Sequence, residues 1–130
     1  MILNRRRHAP TPLEQIVLDY VWKHAGCTAE MCREGLAAER KLKDSTIRTV
    51  LRKLEEKGYV THEIDGRTYV YRAAETRRNV AVEAARQLID RFCEGSLEEL
   101  LVGLVDQQIV DPKQLRRMAD KIAARKERKS

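Results

Sequence analysis

The 130-residue sequence predicts a mostly α-helical chain with one small β-hairpin: three helices and the hairpin at the N-terminal end, further helices after them. Three observations carry that expectation. Residues 44–58 hold apolar side chains at helical spacing and stop on a glycine. Two β-rich runs follow, parted by Asp65-Gly66, the strongest short-range hairpin signal. Capping signatures, Thr11-Pro12-Leu13-Glu14 and Ser96-Leu97-Glu98-Glu99, open helices on either side of this region.

Thr11-Pro12-Leu13-Glu14 places proline at the first helical position, where its missing N–H leaves nothing unsatisfied. The helix it opens sets Leu13, Ile16, Val17, Tyr20 and Val21 on a buried stripe, with Trp22 at the edge as a packing residue and Gly26 as the stop. Thr28 caps a second helix over residues 29–39, with Met31, Cys32 and Leu36 inward. Arg40-Lys41-Leu42-Lys43 turns into the third helix, residues 44–57. There Ile47, Val50, Leu51 and Leu54 form the apolar face, and Ser45, Arg48, Thr49, Arg52 and Lys53 lie opposite. Lys57 in the last turn and Gly58 at a left-handed C-cap position end it. Strands follow at residues 59–64 and 67–72, joined by Asp65-Gly66, with Arg67 just past the tip.

Helix and basic-tipped hairpin in this order form the winged helix-turn-helix layout, in which the helix reads the major groove and the wing reaches phosphate. Arginine can grip a guanine edge or a phosphate, and serine or threonine can reach either. An ordinary amphipathic surface helix would also be charged outside; the hairpin that follows separates the two readings. The net charge of +6 and pI near 9.4 favour a polyanionic partner. Residues 40–57 hold seven basic side chains (Lys43, Arg48 and Lys53 among them) against three acidic, whereas residues 94–111 hold five acidic and none basic. Arg5-Arg6-Arg7 suits either an arm on DNA or a solubilising tail.

Other classes fare poorly. Met1–Leu3 is too short an apolar start for a signal peptide, and no stretch approaches the roughly 20 apolar residues of a membrane span. The expectation is a cytoplasmic protein without membrane insertion. Three cysteines make no disulfide framework, and Cys32 and Cys93 fall on apolar stripes as small hydrophobes. A redox role for Cys27 has nothing to support it. His8, His24 and His62 are scattered, so no metal ligand set is expected, and no cofactor. With no phosphate loop, nucleophile elbow or zinc-helix motif, the chain is not expected to be an enzyme.

The second half is helical throughout. Residues 73–78 lead to a helix over 79–93 whose apolar face is Ala81, Ala84, Ala85, Leu88, Ile89 and Phe92, broken by Glu94-Gly95. Ser96 opens a helix to about residue 107 that is apolar nearly all round: Leu97, Leu100, Leu101, Val102, Leu104 and Val105. Asp111-Pro112-Lys113-Gln114 starts the last, with Leu115, Met118, Ala119 and Ile122 inward. A helix greasy on most sides calls for partners on more than one. A two-fold dimer burying Leu88, Phe92, Leu97, Leu100, Leu101, Leu104, Val105, Leu115, Met118 and Ile122 meets that demand; an intrachain three-helix bundle is the alternative. The expected domains are 1–73 for DNA and 74–130 for dimerisation.

The segments WKHAGCTAEMCREGL, DSTIRTVLRKLEEKGYVTHEIDGRTYVYR and RFCEGSLEELLVGLVD together resemble the penicillinase-repressor family, the BlaI/MecI/CopY group. Its third-helix pattern falls on Thr46, Ile47, Thr49, Leu51, Leu54, Lys57 and Gly58, and the likeness spans Thr11 to Lys126. The resemblance implies a homodimeric transcriptional repressor of β-lactamase or penicillin-resistance genes, binding a dyad operator in double-stranded DNA through a helix bearing Thr46, Arg48 and Thr49. Copper-responsive members carry paired C-terminal cysteines; this chain ends RKERKS and has none. Some members are cleaved at an Asn-Phe bond once a membrane sensor detects β-lactam. The aligned pair here is Gly103-Leu104, a departure that puts the same inactivating protease in doubt. Gly103 weakens its helix by up to about 1 kcal/mol relative to alanine, which suits an accessible bond and close helix packing equally. A small-molecule- or metal-responsive regulator and a winged helix used for protein contact remain the alternatives.

Overall fold

The computed structural model describes residues 8–94 and 96–129; Arg5-Arg6-Arg7 lies outside them. The elements are α1 (Pro12–Lys23), α2 (Ala29–Leu36), α3 (Asp44–Glu56), β1 (Val60–Asp65), β2 (Thr68–Ala73), α4 (Arg77–Phe92), α5 (Leu97–Asp106) and α6 (Pro112–Lys129). The described residues are thus mostly helical with one antiparallel two-stranded sheet, as the sequence predicts.

The α1 capping box is complete: Thr11 Oγ1 accepts from the Glu14 N–H at 3.2 Å, and the Glu14 carboxylate accepts from the Thr11 N–H at 2.9 Å. The helix ends at Lys23 rather than running to Gly26, which takes φ +73° in the bend beyond. Its buried face is Glu14, Val17, Leu18 and Val21. Leu18, fully buried, lies outside the predicted stripe, while Leu13, Ile16 and Tyr20 are only partly buried at its edge. Trp22 packs as expected: its Nε1–H donates to the Glu75 carbonyl at 2.9 Å, and the Arg77 guanidinium lies 4.5 Å from its ring centroid.

Thr28 caps α2 by accepting from the Met31 N–H at 3.1 Å. The helix stops at Leu36, short of residue 39, because Ala37 and Glu39 bond three residues back and tighten the last turn. Ala29, Cys32 and Leu36 face inward. Met31, expected inside, is 43% exposed, since it lies one helical step off that face.

In α3 the predicted stripe Ile47, Val50, Leu51 and Leu54 is buried as a whole. Gly58, at φ +85°, closes a Schellman cap: its N–H bonds to the Glu55 carbonyl at 2.9 Å and the Tyr59 N–H to the Leu54 carbonyl at 2.9 Å. Tyr59 then sits fully buried just ahead of the sheet, its hydroxyl donating to the His8 carbonyl at 2.6 Å.

The hairpin differs from expectation by one register step. Asp65 pairs with Thr68, so the turn residues are Gly66-Arg67, not Asp65-Gly66. Gly66 alone takes positive φ there (+66°), the pattern of a type II′ turn with glycine first. Arg67 therefore sits in the turn itself. Cys27 adds a one-residue bridge to Tyr71, with N–H···O bonds of 3.1 and 2.7 Å, extending the sheet beyond the two predicted strands.

Glu14 is buried and holds Lys57 Nζ at 2.6 Å, tying α1 to the end of α3. Burial opposes its charge, but bonds from Lys57 and Thr11 outweigh that and keep the carboxyl below the usual range. A depressed acid adds stability above its unfolded pKa and loses it as pH falls through the folded value. Glu14→Gln is accordingly expected to cost about 1–3 kcal/mol at pH 7 and to flatten the loss of stability below about pH 4. Chemical denaturation at a series of pH values checks this.

Cys27 and Cys32 are fully buried, and burial raises both thiols, Cys32 to about 12. Cys93 is half-buried. A thiol reagent at pH 8 is expected to modify Cys93 in the native protein and the other two only after unfolding; fast native labelling of Cys27 would overturn the placement.

Two compact units divide within α4, one up to Ala85 and the other from Arg86. The first holds the core just described, to which Val80 of α4 contributes. Among the described residues from Ala81 onward, none is buried. Leu88, Phe92, Leu97, Met118 and Ile122 are exposed, and Leu100, Leu101, Leu104, Val105 and Leu115 half-buried. The expectation that Met118, Ala119 and Ile122 point inward is not met within one chain. A Cβ at Gly103 would meet nothing within 4 Å, so no close packing inside the chain requires that glycine.

Candidate nucleic-acid interface

The buried stripe of α3 fixes which side faces out. Ser45, Arg48, Thr49, Arg52 and Lys53 are exposed on it, Lys43 is exposed just ahead of it, and Thr46 is half-buried. Arg48 Nε lies 2.7 Å from Asp44 Oδ2, one turn earlier, and this bond holds the guanidinium firmly charged. Arg52 meets Glu56 more loosely, at 3.9 Å.

The hairpin folds against this helix and makes two clefts of ≈ 450 Å³. One is lined by Arg48, Thr49, Arg52, Glu55, His62, Tyr69 and Tyr71. The other is lined by Thr28, Ala29 and Glu30 at the start of α2, by Arg48, and by Arg67, Thr68 and Tyr69 of the wing tip. Arg48 and Arg67, predicted separately as helix and wing residues, thus share one cleft. Lys43, Ser45, Thr46 and Lys53 line neither.

Sequence reading missed what fastens the wing. His62 Nδ1 lies 2.7 Å from both Glu55 carboxylate oxygens, joining β1 to α3. The His62 ring stacks on Tyr69 at 4.1 Å and 7°, with Tyr71 at 5.7 Å. Burial, then the Glu55 and Tyr69 charges, raise the Tyr71 phenol, with Arg48 opposing. The available signal was alternation: His62 pairs with Tyr71 and Ile64 with Tyr69, all on one hairpin face. Fastened this way, the wing offers Tyr69, 46% exposed, and Arg67 beside the helix cations.

Such a surface can make charge-assisted and neutral hydrogen bonds to an anionic, hydrogen-bonding partner. Among the described residues no group of three His, Cys, Asp or Glu could hold a metal ion, and no helix is long and apolar enough to cross a membrane.

The chain is 21% identical over 113 residues to the penicillinase repressor of Bacillus licheniformis, covering 87% of this chain and 88% of that one. It is 18% identical over 106 residues to the methicillin resistance regulatory protein MecI of Mammaliicoccus sciuri, covering 82% and 86%. Among solved structures, the DNA-binding domain of the repressor BlaI superposes with a TM-score of 0.49 at 26% identity, covering 55% of this chain and 89% of that one. The penicillinase repressor family model matches residues 10–124, spanning both the winged unit and most of the helices after it, so the chain belongs to the penicillinase repressor family.

Proposed function

We propose that this protein is a dimeric, sequence-specific transcriptional repressor that reads a palindromic operator in double-stranded DNA with α3 and braces phosphate with the wing. The observation that carries the reading is the convergence of Arg48 and Arg67 on one cleft, with Ser45, Thr49, Arg52 and Lys53 exposed beside it. Lys43 and Thr46 complete the DNA-facing set. The winged unit takes the DNA-binding role and the helices after it the dimerisation role; the expected boundary at residue 73 falls short of Val80, which packs into the winged core. The apolar side chains left uncovered from Leu88 to Ile122 support pairing of two copies, which sets two reading helices on successive turns of one DNA face. The two relatives named above regulate penicillinase and methicillin resistance, so antibiotic-resistance genes are the target class. A repressor of this kind works in the cytoplasm. A proteolytic switch at Gly103-Leu104 would need an inactivating protease of a specificity other than that for Asn-Phe, coupled to a membrane sensor. Both residues are half-buried within α5, so cleavage there requires the helix to open.

The test is selection of duplexes from random DNA at several salt concentrations. A dyad motif bound with a steep salt slope is the expected result, because each phosphate contact releases counterion. Recovery of no motif, with salt-insensitive binding, would leave a winged helix used for protein contact. Arg67→Ala is expected to weaken operator and random DNA alike and to reduce the salt slope by about 1. Loss of sequence preference alone would show that the wing reads bases.

A further inference from the structure

We infer that Asp44 is a positioning residue for Arg48, and that the pair rather than the arginine alone decides which base α3 accepts. The inference rests on the reading of α3 as the DNA-contacting helix. Asp44 is the first residue of α3 and Arg48 stands one turn later, with Nε to Oδ2 at 2.7 Å and side chains 52% and 62% exposed. A guanidinium has two edges able to make paired hydrogen bonds, one through Nε and one Nη, the other through both Nη groups. Asp44 engages the Nε side. What remains is the two-Nη edge, the fork that matches O6 and N7 of guanine.

The carboxylate does two further things. It restricts the arginine's rotamers before DNA arrives, so less freedom is lost on binding in the matching pose. It also sets a negative charge beside the phosphate backbone, which disfavours any pose that lacks a compensating base contact. Arg52 offers a contrast on the same face: at 3.9 Å its carboxylate partner Glu56 holds it weakly, which suits an adaptable phosphate contact. Arg48 also lines both clefts beside the wing, so its orientation is set where the helix, the wing tip and the start of α2 meet. An exposed pair within one helix adds little to stability, and its loss therefore shows in recognition while the fold persists.

The experiment measures binding of the full chain to its selected operator and to a random duplex for Asp44→Ala, Asp44→Glu, Arg48→Ala and the double variant. Asp44→Ala is expected to lower the operator-to-random ratio about tenfold, with binding to random DNA unchanged or tighter and preference relaxed at one position per half-site. Asp44→Glu, which keeps a carboxylate one turn from Arg48, is expected to restore the ratio to within about threefold of the unaltered protein. In the Arg48→Ala background, Asp44→Ala is expected to leave the ratio unchanged. Two outcomes overturn the inference: a rise in affinity for both duplexes by one factor, which would make Asp44 a simple repulsive charge, or an equal fall in ratio with Arg48 absent. If the unaltered protein selects no motif, it is the reading of α3 that fails, and this is seen before any variant is made.

Discussion

Leu104→Asp is expected to yield monomers whose winged unit is folded but whose hold on a two-half-site operator is at least about a hundredfold weaker. Leu104 lies in α5 and lines an open groove of ≈ 690 Å³ with Phe92, Leu100 and Ile109. A second copy covering that groove would have to bury the new carboxylate, at a cost of several kcal/mol unless it is paired. The winged unit is spared because its core from Val17 to Val80 uses no residue of α5. Affinity falls because two linked half-site contacts multiply effective concentration by about 10²–10⁴, and a monomer forfeits that factor. Sedimentation gives the mass, and titration against whole and half operators separates the two effects. A dimer that survives the change places the interface elsewhere; a monomer that binds the whole operator undiminished removes dimerisation from recognition.

Leu51→Ala is expected to lower the stability of the winged unit by about 2–5 kcal/mol. Leu51 is fully buried beneath α3, in one cluster with Leu18, Ile47, Leu54 and Tyr59. Its removal leaves a cavity on the side of α3 opposite Arg48 and Arg52, and small domains hold only about 5–15 kcal/mol in total. Thermal unfolding should show the loss as a drop of many degrees, and DNA binding should fall with the folded fraction. Arg52→Ala, on the exposed face, is the control: it is expected to leave stability within about 0.5 kcal/mol while weakening DNA binding. A loss below about 1 kcal/mol for Leu51→Ala would mean that α3 is not held by this core.

The helices were legible because their signals are local. Thr11, Thr28 and Ser96 cap the helices assigned to them, and the stripe Ile47, Val50, Leu51 and Leu54 is buried as read. The errors came where tertiary contact overrode spacing. Leu18 and Met31 each lie one step from a boundary that only the neighbouring elements fix. The hairpin slipped because Asp-Gly and Gly-Arg are both workable two-residue turns, and the His62–Tyr71 and Ile64–Tyr69 pairs decided between them. At the interface the cations could be named one by one, but the Glu55–His62–Tyr69 fastening joins residues from three elements, and no spacing rule finds it. The Asp44–Arg48 bond was within reach, as an i, i+4 pair of opposite charge on one helix.

The absence of any buried residue after Val80, among those described, bears on how long a newly made copy survives in the cell. Helices without a core open readily, and an opened segment is what degradative proteases take. If two copies pair as proposed, one without its counterpart offers residues 81–129 as a point of attack, whereas two copies joined on that face conceal it. In the proposed dimer, turnover would act on the excess of unassembled chains and would hold the standing pool near the level at which partners find each other faster than they are destroyed.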